Sequence, residues 1–165
     1  MDANGKPTDI RFLADAREIN AVTHAQQARI QFPMPIIRDI IERTGGKKYH
    51  SELDIVDAFW RIFVLEEDRK WLTFVLANQV FRYTSAPQGL TCVPKLFQGI
   101  MQQILQGLDG VNVFVDNILV SSKTIPEHTA TLSAVLKRLT ENNLKLNRAK
   151  CKFFRKTLTV LGYHI

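Results

Sequence analysis

The chain has 165 residues, 45% of them apolar and 23% charged, which is enough to bury a core without staples and argues against disorder. Cys92 and Cys151 have no CxxC partner, so no cysteine zinc site is expected and both read as small buried hydrophobes in a reducing compartment. The polar start and the lack of a long apolar run suggest neither signal peptide nor membrane span, and the expectation is a soluble intracellular protein, cytoplasmic by default, with nuclear presence left open.

The net charge of +6 is unevenly placed: residues 123–156 hold nine Lys or Arg against Glu127 and Glu141, while the remainder sums to −1. A basic end of this kind suits a polyanion, although a solvated helix face and hairpin would look the same.

Residues 9–14 (DIRFLA) read as a strand followed by a polar connection. Ile36, Ile37, Ile40 and Ile41 form a helical stripe that Gly45-Gly46 ends. A strand ends near Asp54, and Asp57 to Trp60 starts a short helix. LTFVL and VFRYT flank Ala77-Asn78-Gln79 as a hairpin. Val93, Leu96, Phe97, Ile100, Met101, Ile104 and Leu105 mark a buried helix face, stopped at Gly107. VNVFVDNILV reads as two strands meeting at Asp116-Asn117. Thr124 to Glu127 has the form of a capping box, and Leu132, Val135, Leu136 and Leu139 continue at helical spacing. Short strands around Leu144 to Leu146 and Leu158 to Gly162 finish the chain. Strands interleaved with helices, some joined as hairpins, predict an α/β (α+β) fold with helices packed on one face of the sheet, in a single domain without internal linkers.

Three features could carry chemistry: Asp54 at the end of an apolar strand, Asp116 where an apolar run turns back, and Pro87-Gln88-Gly89 before the buried helix. A charge in such a run is costly unless a metal or partner compensates it. Singly, each has a plain explanation as a strand-end cap, a hairpin turn or a loop.

Taken in order, LDIVDAFWRI, SAPQGLTCVPKLFQGIM, VFVDNILV, EHTATLSAVLKRL, LKLNRAKCKF and VLGYHI resemble the motifs of reverse transcriptases, above all those of gypsy-class LTR retrotransposons, with retroviral enzymes next. IRFLADAREIN resembles the fingers segment that precedes them. The resemblance implies an RNA-directed DNA polymerase: a palm with antiparallel sheet and partial fingers, the fingers falling at about 1–50 and 72–86. It implies Asp54 and Asp116 as carboxylates holding two Mg²⁺ ions, with Mn²⁺ a substitute and the Ile55 carbonyl a further ligand. Two such ions about 4 Å apart activate a primer hydroxyl and steady a triphosphate. By the same resemblance Phe59 lies under the nucleotide's sugar, Ile55, Asp57 and Ala58 also belong to the nucleotide-binding residues, Gln88 and Gly89 lie beside the nucleotide's 3′ side, Arg11 holds the triphosphate, and Lys150 sits near the leaving pyrophosphate. The implied partners are an RNA or DNA template-primer and deoxynucleoside triphosphates.

One position departs from the pattern, because Asn117 stands where a second aspartate is expected. An amide oxygen ligates Mg²⁺ more weakly than a carboxylate, so reduced metal affinity and turnover are expected. The chain also starts inside the implied fingers hairpin and stops at VLGYHI, without thumb or RNase H, so a partner or further segment would supply the thumb. A weak or inactive remnant that binds nucleic acid or protein is the alternative reading. A different palm-type enzyme, such as a nucleotide cyclase, fits the Pro-Gln-Gly and Leu-Gly-Tyr segments poorly.

Overall fold

A computed structural model describes residues 15–27 and 32–165, so the DIRFLA segment and Arg11 lie outside the described residues. Among the described residues the helices are α1 (Arg17–Gln27), α2 (Ile37–Thr44), α3 (Val93–Ile104) and α4 (Ile125–Glu141). The strands are β1 (Tyr49–Asp54), β2 (Thr73–Leu76), β3 (Gln79–Arg82), β4 (Val111–Phe114), β5 (Asn117–Ser122), β6 (Lys152–Arg155), β7 (Thr159–Val160) and β8 (Tyr163–His164). The chain divides into two units, Met1–Arg29 with Phe59–Thr91 and Ile30–Ala58 with Cys92–Ile165.

The second unit is built on an antiparallel sheet of order β4-β5-β1-β6. Successive residues of β5 point to opposite faces, yet Ile118, Leu119 and Val120 are all at or near zero exposure, so this strand is covered on both sides. On the face shared by Ser51 and Ser122 lies α4, whose buried His128 bonds both serines, at 2.7 and 3.2 Å. The buried stripes Val93, Phe97 and Met101 of α3 and Leu132, Val135 and Leu139 of α4 supply the apolar cover. Each such side chain contributes roughly 1.5–3 kcal/mol on burial. On the other face Leu119 packs in a cluster with Ile40 of α2, Leu158 and Val160. The helices thus begin and end as their stripes require, although Ile100 and Leu136, expected on the buried faces, are exposed.

Buried polar groups of β1 are tolerated because they are bonded: His50 Nδ1 pairs with Ser121 Oγ at 2.9 Å, and Ser51 also accepts from the Phe154 amide at 3.1 Å. Thr124 caps α4 by accepting from the Glu127 amide at 3.4 Å. The Glu127 carboxylate returns to the Lys123 amide at 3.1 Å, one residue before the expected box partner.

In the first unit Ala77 and Asn78, at φ 48 and 60, form the two-residue turn that joins β2 to β3. Gln79 therefore pairs with Leu76 rather than lying in the turn. Phe74 packs on Phe81 and Tyr83, with ring centroids 5.5 and 4.8 Å apart, and Tyr83 reaches Trp60 at 6.0 Å.

Several expectations are corrected. The polar connection after residue 14 contains α1, whose sequence REINAVTHAQQ has too few apolar positions to show a helical stripe. The helix expected from Asp57 is a turn followed by a single 3₁₀ turn, Phe59–Arg61. Leu144 to Leu146 provide one bridge, Leu146 to Ile55, instead of a strand. The added strand, β6, is an exposed sheet edge without the alternation that marks a half-buried one. Both cysteines are free and half-buried, and burial pushes the Cys92 thiol up. No described helix is long and apolar enough to cross a membrane.

Candidate active site at the strand ends

Antiparallel register brings the two aspartates of the sequence together. Asp54, the last residue of β1, lies opposite Asn117, the first of β5. The Ile55 amide donates to the Asp116 carbonyl at 3.0 Å, joining the end of β1 to the β4–β5 turn. That turn is Val115-Asp116, since Phe114 pairs with Asn117; the turn expected at Asp116-Asn117 is one residue early, and Asn117 belongs to the ladder. Asp116 and Asn117 are half-buried, and the Asp54 side chain is 23% exposed.

The turn is held under strain. Val115 has φ 56, a left-handed conformation that β-branched residues avoid. Gln98 of α3, fully buried, grips both sides of it: Nε2 donates to the Val113 carbonyl at 3.1 Å, and Oε1 accepts from the Val115 amide at 2.6 Å. Gln98 was invisible in the sequence because a glutamine beside an apolar helical stripe reads as an ordinary polar residue, and only the docking of α3 buries it.

The segment after α4 is fastened to the same strand end by backbone bonds. The Val56 amide donates to the Lys145 carbonyl and the Asn147 amide to the Asp54 carbonyl, both at 2.8 Å. Lys150 Nζ then reaches Asp54 Oδ2 at 3.5 Å, an ion pair whose lysine is largely exposed. Glu52, which sequence reasoning passed over, accepts from Asn117 Nδ2 at 2.8 Å and from Lys152 Nζ at 2.7 Å. Its signal was a charge two residues before Asp54, on the same face of an otherwise buried strand.

Asp54, Ile55, Asp57, Ala58, Asp116, Asn117 and Lys150 all belong to the second unit, with Asp57 in a left-handed turn at φ 52 and Ala58 buried. Phe59, Gln88 and Gly89 belong to the first. There Asn20 of α1 spans the Gln88-Gly89 turn, donating to the Gly89 carbonyl at 2.8 Å and accepting from the Thr91 amide at 3.0 Å. Gly89 has φ 121, which a residue with a side chain rarely adopts.

The donors at the strand ends are two carboxylates and one amide oxygen, Asn117 Oδ1, which is buried and has no hydrogen-bond partner among the described residues. Hard oxygen donors of this kind fit Mg²⁺ that takes its remaining ligands from water and substrate phosphates. A cage made by protein alone is not what they offer: among the described residues no group of three or more His, Cys, Asp or Glu could hold a metal ion.

Residues 3–165 match the family model described as reverse transcriptase (RNA-dependent DNA polymerase). The chain is 33% identical over 162 residues to the transposon Tf2-7 polyprotein of Schizosaccharomyces pombe, covering 97% of the chain and 12% of the relative. It is also 33% identical over 155 residues to the retrovirus-related Pol polyprotein from transposon 412 of Drosophila melanogaster, covering 93% of the chain and 12% of the relative. Among solved structures, the foamy viral protease-reverse transcriptase in complex with double-stranded DNA superposes with TM-score 0.82 and 25% identity, covering 97% of this chain and 28% of that one. A second structure of the foamy viral protein, in complex with an RNA/DNA hybrid, gives TM-score 0.77 over 82% of this chain and 18% of that one. The chain thus spans about an eighth of the length of these curated relatives.

Proposed function

Since this chain belongs to the reverse transcriptase family, we propose that its second unit carries a polymerase centre that extends a primer 3′-hydroxyl with deoxynucleotides on an RNA or DNA template. One observation carries the reading: the register that sets Asp54 opposite Asn117 and bonds Ile55 to Asp116. Asp54 and Asp116, with the Ile55 carbonyl, would hold two Mg²⁺ ions, or Mn²⁺ in their place. Bound there, the metal supplies Lewis acidity toward the primer hydroxyl and neutralises charge on the triphosphate.

The chain's own groups do the rest. Lys150, whose Nζ is 3.5 Å from Asp54, keeps a cationic donor beside the carboxylate for the leaving pyrophosphate. The Gln98 clamp fixes the backbone that presents Asp116, so little reorganisation is left to the moment of reaction. By family resemblance Phe59 is assigned to the nucleotide's sugar, Gln88 and Gly89 to its 3′ side, Arg11 to the triphosphate, and Asp57 and Ala58 to nucleotide binding. Fingers are assigned to about 1–50 and 72–86 and palm to the remainder. The exposed cations Arg155, the last residue of β6, and Lys156 after it are available to template-primer phosphates. Asn117 contributes a dipole where a carboxylate would contribute charge, which lowers metal affinity and turnover.

Primer extension on an RNA template tests the proposal. Extension with Mg²⁺ or Mn²⁺ that disappears in Asp54→Asn and in Asp116→Ala supports it. Extension that survives either substitution refutes the assignment of the centre. A folded chain that extends nothing but binds RNA in a salt-sensitive way would be a retained fold acting by binding alone.

A further inference from the structure

Glu52 and Asp54 are two residues apart on β1 and therefore share a face, and the register sets Glu52 diagonally from Asn117. The Glu52 side chain is 12% exposed and held at both oxygens. Oε1 accepts from Asn117 Nδ2 at 2.8 Å, and Oε2 accepts from Nζ of Lys152, the residue paired with Glu52 across β6, at 2.7 Å. A carboxylate this buried needs such donors. The bond to Asn117 uses the nitrogen end of the amide. The oxygen end, Oδ1, is the buried side-chain atom that no donor satisfies among the described residues.

We propose that Glu52 is the positioning residue of the strand-end centre, turning the Asn117 amide so that its oxygen is the spare end, and that the two residues are a matched pair which does not tolerate change one at a time. The role of the spare oxygen as a neutral ligand rests on the polymerase reading above; the matching of the pair rests on the hydrogen bonds alone. Turning the amide over would set Oδ1 against the Glu52 carboxylate, so one orientation is fixed. Aspartate at position 117 has no donor to offer, and either of its oxygens would face Oε1. Lys152 already donates to the other Glu52 oxygen and stands across β6, so the new charge would go unanswered. Replacing Asn117 by aspartate is therefore not a repair by itself. The reversed pair, glutamine at 52 with aspartate at 117, restores the bond with the donor on the other side.

The test is a double-mutant cycle read by thermal unfolding at one neutral pH, in EDTA and then with Mn²⁺. In EDTA, Asn117→Asp is expected to lower Tm by about 5 °C or more, and Glu52→Gln, which keeps one oxygen for the two donors Asn117 Nδ2 and Lys152 Nζ, to lower it by about 3 °C or more. Glu52→Gln combined with Asn117→Asp regains at least half of the loss. Asn117→Asp melting with the parent, or the double variant melting no higher than Asn117→Asp, overturns the pairing. With Mn²⁺ the double variant is expected to gain more in Tm than the parent, because its position 117 is charged. Coupling in EDTA with no Mn²⁺ shift in any variant retains the pair and removes the metal reading.

Discussion

Gln98→Leu tests how the β4–β5 turn is held. The substitution keeps the volume and burial of a side chain that is fully inside, and deletes both of its hydrogen bonds. The Val113 carbonyl and the Val115 amide are then left without that partner in a water-free position. Each orphaned group costs about 1–3 kcal/mol. Burial of leucine in place of an amide offsets about 1 kcal/mol, leaving a net loss of about 1–5 kcal/mol, with about 2–4 kcal/mol as the middle of that range. At about 2–4 °C per kcal/mol for a chain of this size, Tm should fall by roughly 5–15 °C. Urea unfolding followed by circular dichroism measures the loss, and an unchanged m-value shows that the unfolded state is not its source. Gln102→Leu, at an exposed position of the same helix, is the control. A loss under about 1 kcal/mol, or an equal loss in the Gln102 control, would refute the clamp.

His50 and His128 are buried, and burial pushes both below the ordinary 6.5, helped by Lys47 beside His50 and by His50 beside His128, with Glu127 opposing at His128. The unfolded chain then binds protons the folded one refuses, so stability is full above about pH 6.5 and falls as the pH drops below it. Melts from pH 7.5 to 5 should show that decline, flatter in His128→Gln; a pH-independent Tm would contradict it. Gly110→Ala should cost about 2 kcal/mol or more, because Gly110 has φ 76 and a Cβ there would collide with the Ser121 carbonyl; urea midpoints give the value. Asn20→Ala removes the bonds across the Gln88-Gly89 turn and should cost about 1 kcal/mol in the same assay.

The parts of the fold that could be read from the sequence are those with a local pattern. The stripes of α2, α3 and α4 repeat at helical spacing, and the hairpins β2–β3 and β4–β5 announce themselves as short apolar runs on either side of turn residues. In α1 the marks are missing: the helix is polar and even Val22 is 82% exposed. In β6 all four residues are exposed, so no alternation exists to detect. Asp54 and Asp116 stood out as charges in apolar runs, a local signal. Glu52, Gln98 and Asn20 matter through partners 65, 15 and 69 residues away respectively, and only strand register and helix docking decide such pairings. The one-residue error at the β4–β5 turn has the same origin: Asp-Asn is good turn chemistry, but the ladder to β1 claims Asn117.

The segment from Lys145 to Asn147 is joined to the end of β1 through main-chain atoms, by the Val56–Lys145 and Asn147–Asp54 bonds and the Ile55–Leu146 bridge. Main-chain bonds do not depend on which side chains the segment carries. Lys145 and Arg148 can therefore be exchanged for other charges, or lost, while Asp54 stays in register with β5. Grip on a polyanion and placement of the carboxylates are separately adjustable in this chain, so mutation can retune one without having to re-solve the other.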